Sequence, residues 1–351
     1  MPLDVEDLLT PIGGASPAGI NLRLVDTSFD DLVELARELS PEEDVNRRTG
    51  KAADWPAVLR AASEALRTRS KDLQLGAWVA LTGLRLEGVT GLSGGIELLG
   101  QLIERFWDTL HPGFDEGELD LEFRAKPIWW LDAMLAGSVT RPGALALAPF
   151  VERRGERALT WNDRLLAATI DKYEKEAPER YQELLQEGRV STATWTYAVT
   201  AADPVRLRER LEELRALETG MERLRKLCLE RFGEREAPSL LATSTLLADM
   251  LGYLEGQLSG GAASETLEGA EPGLAPAAKG PIGSRAAAVA KLTEVAAWFR
   301  RAEPHSPVSF LIERAVRWAN MPFEELVRDY IKDQNAQGQI WETLGIPRDG
   351  S

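Results

Sequence analysis

Hydrophobic positions along this chain recur in threes and fours. Phe29, Leu32, Val33, Leu35/Ala36 and Leu39 follow that spacing, as do Val58, Leu59, Ala62 and Leu66; Leu73, Ala77, Leu81 and Leu84; and Ile96, Leu99, Ile103 and Phe106. Apolar residues so placed share one face of an α-helix, and each set predicts an amphipathic helix. No long alternation of Val, Ile, Thr and aromatic residues appears, which argues against a sizeable sheet. The pattern predicts an all-α fold.

The longest predicted helix begins at Asp203-Pro204, a capping residue followed by proline at the first helical position. Leu207, Leu211, Leu214, Leu217, Met221, Leu224 and Leu227 carry it to about Phe232, and Gly233 and Pro238 supply stop signals. Glu and Arg between the leucines predict a hairpin or bundle with one wet face.

Residues 259–281 differ from everything around them, being made almost wholly of Gly, Ala, Ser, Pro and Glu. A segment with so little apolar surface cannot offset its ordering entropy and reads as a flexible linker, with a random-coil span of about 25–30 Å. It separates an N-terminal helical domain (1–150) and a middle helical region (151–258) from a C-terminal module (282–351). In that module Ser284 is placed to cap a helix carrying Val289, Leu292, Ala296 and Phe299, which Pro304 stops. Ser306-Pro307 starts another, with Val308, Leu311, Ile312, Ala315 and Val316 inward. After Asn320-Met321-Pro322 come Phe323, Leu326, Val327, Tyr330 and Ile331, then a last short helix with Ile340, Trp341 and Leu344. Four helices in so few residues lie near the lower limit of independent stability, which points to oligomerisation. Trp298, Phe299, Leu311, Trp318, Phe323, Tyr330 and Trp341 are the candidate oligomerisation residues, because large aromatic and aliphatic side chains anchor interfaces.

Charge sharpens that division. The whole chain of 351 residues carries 41 basic against 56 acidic residues, net −15. Residues 282–351 hold nine of each sign, whereas the first 258 hold 31 basic and 44 acidic, net −13. A neutral module suits the packing of many copies. The acidic excess argues against nucleic-acid partners and anionic membrane surfaces. No stretch approaches the ~20 apolar residues that span a bilayer, and the N-terminus lacks a basic segment followed by an apolar one, so the expected location is cytoplasmic. One cysteine (Cys228) and two histidines (His111, His305) make neither an intrachain disulfide nor a Cys/His zinc site. No metal or cofactor is expected.

Motifs for catalysis are few. Gly91-Leu92-Ser93-Gly94-Gly95 fits G-x-S-x-G, with His111 as an imagined base, but a nucleophile elbow needs a strand before the serine. The segment before it reads as helix, and a Gly-rich turn with Ser93 or Thr90 capping a helix from Ile96 is the better reading. Thr49-Gly50-Lys51-Ala52 lacks the first glycine and the Ser/Thr of a phosphate loop. Ser70-Lys71-Asp72 does not converge as a Ser-Lys dyad and reads as a helix cap or local ion pair. His305, between two prolines, reads as a turn residue capping a helix end. Most of the ten tryptophans read as core anchors.

Two separated blocks carry a resemblance. The run Gly19-Ile20-Asn21-Leu22-Arg23, Trp55 with Val58, Arg69-Ser70-Lys71-Asp72-Leu73, Trp78, Gly88, Gly91-Leu92, Phe106-Trp107-Asp108 and Leu110-His111-Pro112 resembles the ImpA N-terminal domain of the TssA family, components of the bacterial type VI secretion system. Ile282 to Arg285, Trp298-Phe299-Arg300-Arg301, residues 303–308 and Arg314-Ala315 resemble the C-terminal region of shorter TssA proteins. Asn21 stands where that pattern has Asp, and Leu24 where an aromatic is usual. The resemblance implies a non-enzymatic assembly factor that forms a ring through its C-terminal region. It implies as partners further copies of itself, baseplate components, the Hcp tube, the TssB/TssC sheath and the membrane complex. It nominates Arg23, Ser70, Lys71, Asp72, Trp107, Asp108 and His111 as partner-contacting motif residues. A serine hydrolase using Ser93 and His111, and a monomeric helical adaptor, are the competing readings.

Overall fold

The computed structural model describes residues 4–25, 27–38, 51–115, 118–138, 141–260, 289, 291–293, 295–297, 300, 308–319 and 321. The chain divides into two compact units, residues 1–268 and 269–351. The fold is all-α, as the periodicity predicts.

The first unit opens with three short helices, α1 (Val5–Leu8), α2 (Leu22–Val25) and α3 (Ser28–Ala36). Next come α4 (Trp55–Thr68), α5 (Leu73–Glu87) and α6 (Val89–Phe106). A ribbon of β1 (Phe114–Asp115) and β2 (Glu118–Leu119) precedes α7 (Leu121–Ala136) and α8 (Ala144–Leu147). A second antiparallel ribbon, β3 (Pro149–Val151) with β4 (Leu159–Thr160), leads into α9 (Trp161–Glu176), α10 (Pro178–Gln186) and α11 (Thr192–Ala201). Then follow α12 (Pro204–Glu236) and α13 (Leu241–Gly260), the latter reaching two residues into the segment read as linker. Residues 261–281 lie outside the described part of the chain.

Ten of the fifteen residues of α5 are buried, so this helix is apolar on nearly every side and stands at the centre. It packs against α4, α6 and α7, while the other flank of α6 packs on α12. Asp54, Asp72, Asp120, Thr160, Ser191 and Asp203 cap the helices that follow them, each accepting a backbone N–H. The start of α13 is satisfied from a distance: Asp132 of α7 accepts from the Thr243 backbone N–H at 2.9 Å and from its hydroxyl at 2.6 Å. One hydrophobic cluster runs from Leu8 through the middle region to Leu254. Part of it is an aromatic knot in which Trp161 meets Phe150, Trp195 and Tyr253 edge-on, and the Trp195 indole donates to the Tyr253 hydroxyl at 2.7 Å. Cys228 of α12 is buried elsewhere in the same cluster, its thiol pushed up to about 12 by desolvation.

The Gly-rich turn expected at residues 91–95 is a correction. Those residues lie inside α6, and the reversal between α5 and α6 is made by Gly88, with φ +72°. The physical reason is close helix packing. A Cβ on Gly91 would stand 2.3 Å from the Gly83 carbonyl oxygen, and one on Gly95 would stand 2.2 Å from Ala80 Cα. The glycines let two helix backbones touch, and Ser93 Oγ simply donates to the Val89 carbonyl at 3.1 Å.

In the second unit, α14 (Val308–Ala319) carries an ion pair from Glu313 to Arg300, and Arg314 lies 4.4 Å over the Trp318 ring. Leu311, expected to face inward, is 63% exposed, and Ala315 is exposed as well, whereas Ile312 and Val316 are half-buried. A single copy leaves that stripe of the helix uncovered. Trp298, Phe299, Phe323, Tyr330 and Trp341, like Ser284 and His305, lie outside the described residues.

Candidate functional site

Between the end of α4 and the start of α5, the chain runs extended through Ser70, Lys71 and Asp72. It is flanked on one side by Gly19 and on the other by His111. Ile20 N–H donates to Arg69 O at 3.0 Å and Lys71 N–H to Ala18 O at 2.8 Å; Leu73 N–H donates to His111 O at 2.8 Å and His111 N–H to Lys71 O at 3.0 Å. Three segments distant in sequence are thus laced by main-chain bonds. Gly19 takes φ +72°, and a Cβ there would fall 2.1 Å from the Arg69 carbonyl oxygen, so only glycine fits.

Two charged side chains are locked into this junction. Lys71 is fully buried and its ammonium donates to Leu8 O at 2.7 Å and Leu66 O at 2.5 Å, joining the end of α1 to the last turn of α4. Desolvation draws its pKa down to about 8, with Arg67 pushing the same way and Asp7 opposing. Asp72 is also fully buried. Its carboxylate caps α5 by accepting from Gln74 N–H at 2.7 Å and takes both terminal nitrogens of Arg23. Arg23 in turn lies 4.0 Å over the Phe29 ring. Asn21 Oδ1 accepts from Arg23 N–H at 3.1 Å, so the amide supplies the acceptor that an aspartate would.

His111 Nε2 stands 3.4 Å from Gly19 O, and burial holds its imidazole below the ordinary histidine value. The Gly19 carbonyl and Asp72 oppose that shift; Arg23 and Arg124 reinforce it. Arg124 of α7, which sequence reasoning missed, is fully buried and donates to Pro112 O at 2.9 Å, Trp107 O at 2.7 Å and Leu110 O at 2.8 Å. Burial lowers its pKa to about 10. Gly113 makes room for it, since a Cβ there would lie 2.2 Å from Arg124 Nη2. Its only advance signal was an arginine on the apolar side of a helix.

Arg23, Ser70, Lys71, Asp72 and His111 therefore meet in one junction. Trp107 belongs to the adjoining Arg124 node, where its ring meets Phe232 edge-on at 4.9 Å and ties this region to α12. Asp108 is exposed. Ser70 Oγ is buried with no hydrogen-bond partner. Ser93 and His111 make their hydrogen bonds to different carbonyls and not to each other, and the residues before Ser93 are helical, so the elbow geometry is lacking. Among the described residues no group of His, Cys, Asp and Glu is placed to hold a metal ion, and no helix is long and apolar enough to cross a membrane.

What this junction presents outward is apolar. With Leu22 buried and Arg23 pinned, Ile20, Leu24 and Val25 stand 43%, 81% and 58% exposed. The charged motif fixes the backbone; the neighbouring aliphatic side chains form the outer face.

Residues 9–133 match the family described as ImpA, N-terminal, type VI secretion system. The chain is 28% identical to type VI secretion system component TssA1 of Pseudomonas aeruginosa, over 98% of this chain and 99% of that protein. Its structure is similar to the N-terminal domain, including the conserved ImpA_N region, of the TssA component of the type VI secretion system from Burkholderia cenocepacia. The TM-score is 0.62 at 28% identity, covering 74% of this chain and 95% of that one.

Proposed function

Because the chain belongs to the TssA family of type VI secretion components, we propose that it is a non-enzymatic, cytoplasmic assembly factor of that system. In this reading it forms a ring through residues 282–351 and positions or primes the baseplate, the Hcp tube and the TssB/TssC sheath. The observation that carries the proposal is the collinear similarity to TssA1, which runs through both the N-terminal motif block and the C-terminal module. The chemistry of the junction agrees with a scaffold: Lys71, Asp72, Arg23 and Arg124 hold backbone carbonyls, a helix start and each other. The stripe of α14 left uncovered in one copy supplies a face for self-association.

The test combines two measurements on the full chain. Deleting the gene should abolish release of the tube protein from cells, and restoring the wild-type or the Ser93→Ala chain should recover it. Native mass spectrometry should show one closed oligomer. Recovery by wild type but not by a folded Ser93→Ala chain would favour the hydrolase; a monomer that still restores secretion would favour the adaptor.

A further inference from the structure

A second surface lies on the other side of Phe29. Between α3 and α7 runs an open groove of about 360 Å³, floored by Trp78 of α5. Phe29 and Val33 line one wall, Trp130 and Met134 the other. Within each pair the two residues sit one turn apart on their helix, so the walls offer matched apolar ridges. Val33 is 38% exposed, and Trp130 and Met134 are only half-buried. The volume holds a few anchoring side chains, being at the lower end of the ~300–1,000 Å³ usual for binding pockets.

Charge sets the character of one end. There Arg37, Glu38 and Arg141 line the groove, and beside them Arg37 and Lys51 pair with Glu34 at 3.5 and 2.5 Å while Arg85 reaches Glu38. Glu38 already accepts from the Trp55 indole at 3.2 Å and pairs with Arg141 at 2.9 Å and Arg85 at 3.6 Å. Arg37 and Arg141 keep 53% and 61% of their side-chain surface in solvent. An arginine carries five N–H donors in a fork suited to carboxylates. Among the described residues, four cations meet two carboxylates at this end, a local inversion on a chain of net charge −15 that suits a negatively charged occupant.

We propose that this groove docks an amphipathic helix of a partner protein, whose apolar side chains enter between Val33 and Met134 and whose following acidic residue meets Arg37 and Arg141. The groove is continuous with the motif junction. Arg23, held by Asp72, stacks on Phe29, and Phe29 packs 5.3 Å from Trp78, so the buried ion pair positions one wall. The inference rests on this chemistry and not on the secretion role.

The experiment titrates the full chain with three synthetic peptides, followed by fluorescence anisotropy of a peptide label and by tryptophan emission. One peptide is helix-forming, with Leu at positions i, i+3, i+4 and i+7 followed by two Glu; the second has Lys for those Glu; the third has the first composition scrambled. The acidic peptide should bind at least about tenfold more tightly than the basic one, because like charges would face Arg37 and Arg141. Val33→Glu, and separately Arg37→Glu with Arg141→Glu, should each weaken it by about tenfold or more. All three positions are exposed, so unchanged thermal unfolding of either variant keeps the comparison valid. Failure of the acidic peptide to bind, equal binding of the acidic and basic peptides, or binding indifferent to both variants overturns the proposal. So does a loss of self-association in Val33→Glu without peptide binding, which would make the groove a contact between copies.

Discussion

Arg23 and Asp72, 49 positions apart in the chain, are joined through both terminal guanidinium nitrogens across the seam between α2 and α5. Asp72 is fully enclosed, while Arg23 keeps 19% of its side-chain surface in solvent. The carboxylate is therefore the member that cannot be left alone.

Replacing Arg23 by Ala strands that buried carboxylate and should cost about 3–5 kcal/mol, whereas Arg23→Lys, which keeps the charge but loses the fork, should cost less. Asp72→Ala adds the loss of the α5 cap, about 1 kcal/mol. Urea unfolding of the two single variants and the double variant measures their coupling. A coupling near zero would mean that the pair contributes no specific stability.

Lys71 gives a pH signature opposite in sign to ordinary alkaline destabilisation. Its folded pKa, about 8, lies below its ordinary value of 10.5, so between those limits the unfolded chain binds more protons than the folded one. This group's contribution therefore makes stability rise with pH through that window, by up to about 1.4 kcal/mol per unit. Below pH 8 both states are protonated and its effect is constant. Lys71→Met should lose this slope, and the difference between the two stability profiles from pH 7 to about 10.5 is the measurement.

The α5–α6 contact should reverse the usual preference for alanine over glycine in helices. Gly95→Ala forces a Cβ against Ala80 Cα, and Gly91→Ala forces one against Gly83 O; each should destabilise by about 1–3 kcal/mol despite a better helix former. Gly100 lies on the same helix with open space where its Cβ would go. Gly100→Ala should stabilise by about 0.5–1 kcal/mol. Thermal melts of the three variants separate contact from propensity.

If α14 is an interface helix, a charge on its uncovered stripe should break the assembly and leave the fold of the first unit intact. Phe310 and Leu311 are 64% and 63% exposed in one copy. Phe310→Glu with Leu311→Glu should shift the full chain from oligomer to monomer in light scattering, with unchanged far-ultraviolet dichroism. An oligomer of wild-type mass would move the interface elsewhere.

The helices were readable because their signals are local: apolar spacing from Leu207 to Leu227, the Asp203-Pro204 start, and Asp72 before Leu73. What stayed hidden was set by contacts between distant segments. Glycines at 91 and 95 look like turn residues until α5 and α6 are brought together. Lys71 looks like a surface lysine beside a cap, and its burial becomes evident only when the Leu8 and Leu66 carbonyls converge on it. Arg23, Ser70, Lys71, Asp72 and His111 meet in one junction while Trp107 and Asp108 lie outside it, and the exposed aliphatics beside that junction, Ile20, Leu24 and Val25, carry no signal of their own in the sequence. Leu311 reads as inward because apolar spacing marks a helix face without showing what packs on it, and here that side chain stands 63% exposed.

The long helix α12 has a consequence for how this architecture changes over time. Its buried Leu207, Leu214, Met221 and Cys228 fall at intervals of seven, with Leu211, Leu217 and Leu224 between them. Gain or loss of one such interval turns the distal part by only about 20° and leaves the same stripe on α6 and α13. Five residues would swing it by about 140° and put charged positions into the core. Length variants of this arm among relatives should therefore come in heptads, each changing its reach by about 10 Å.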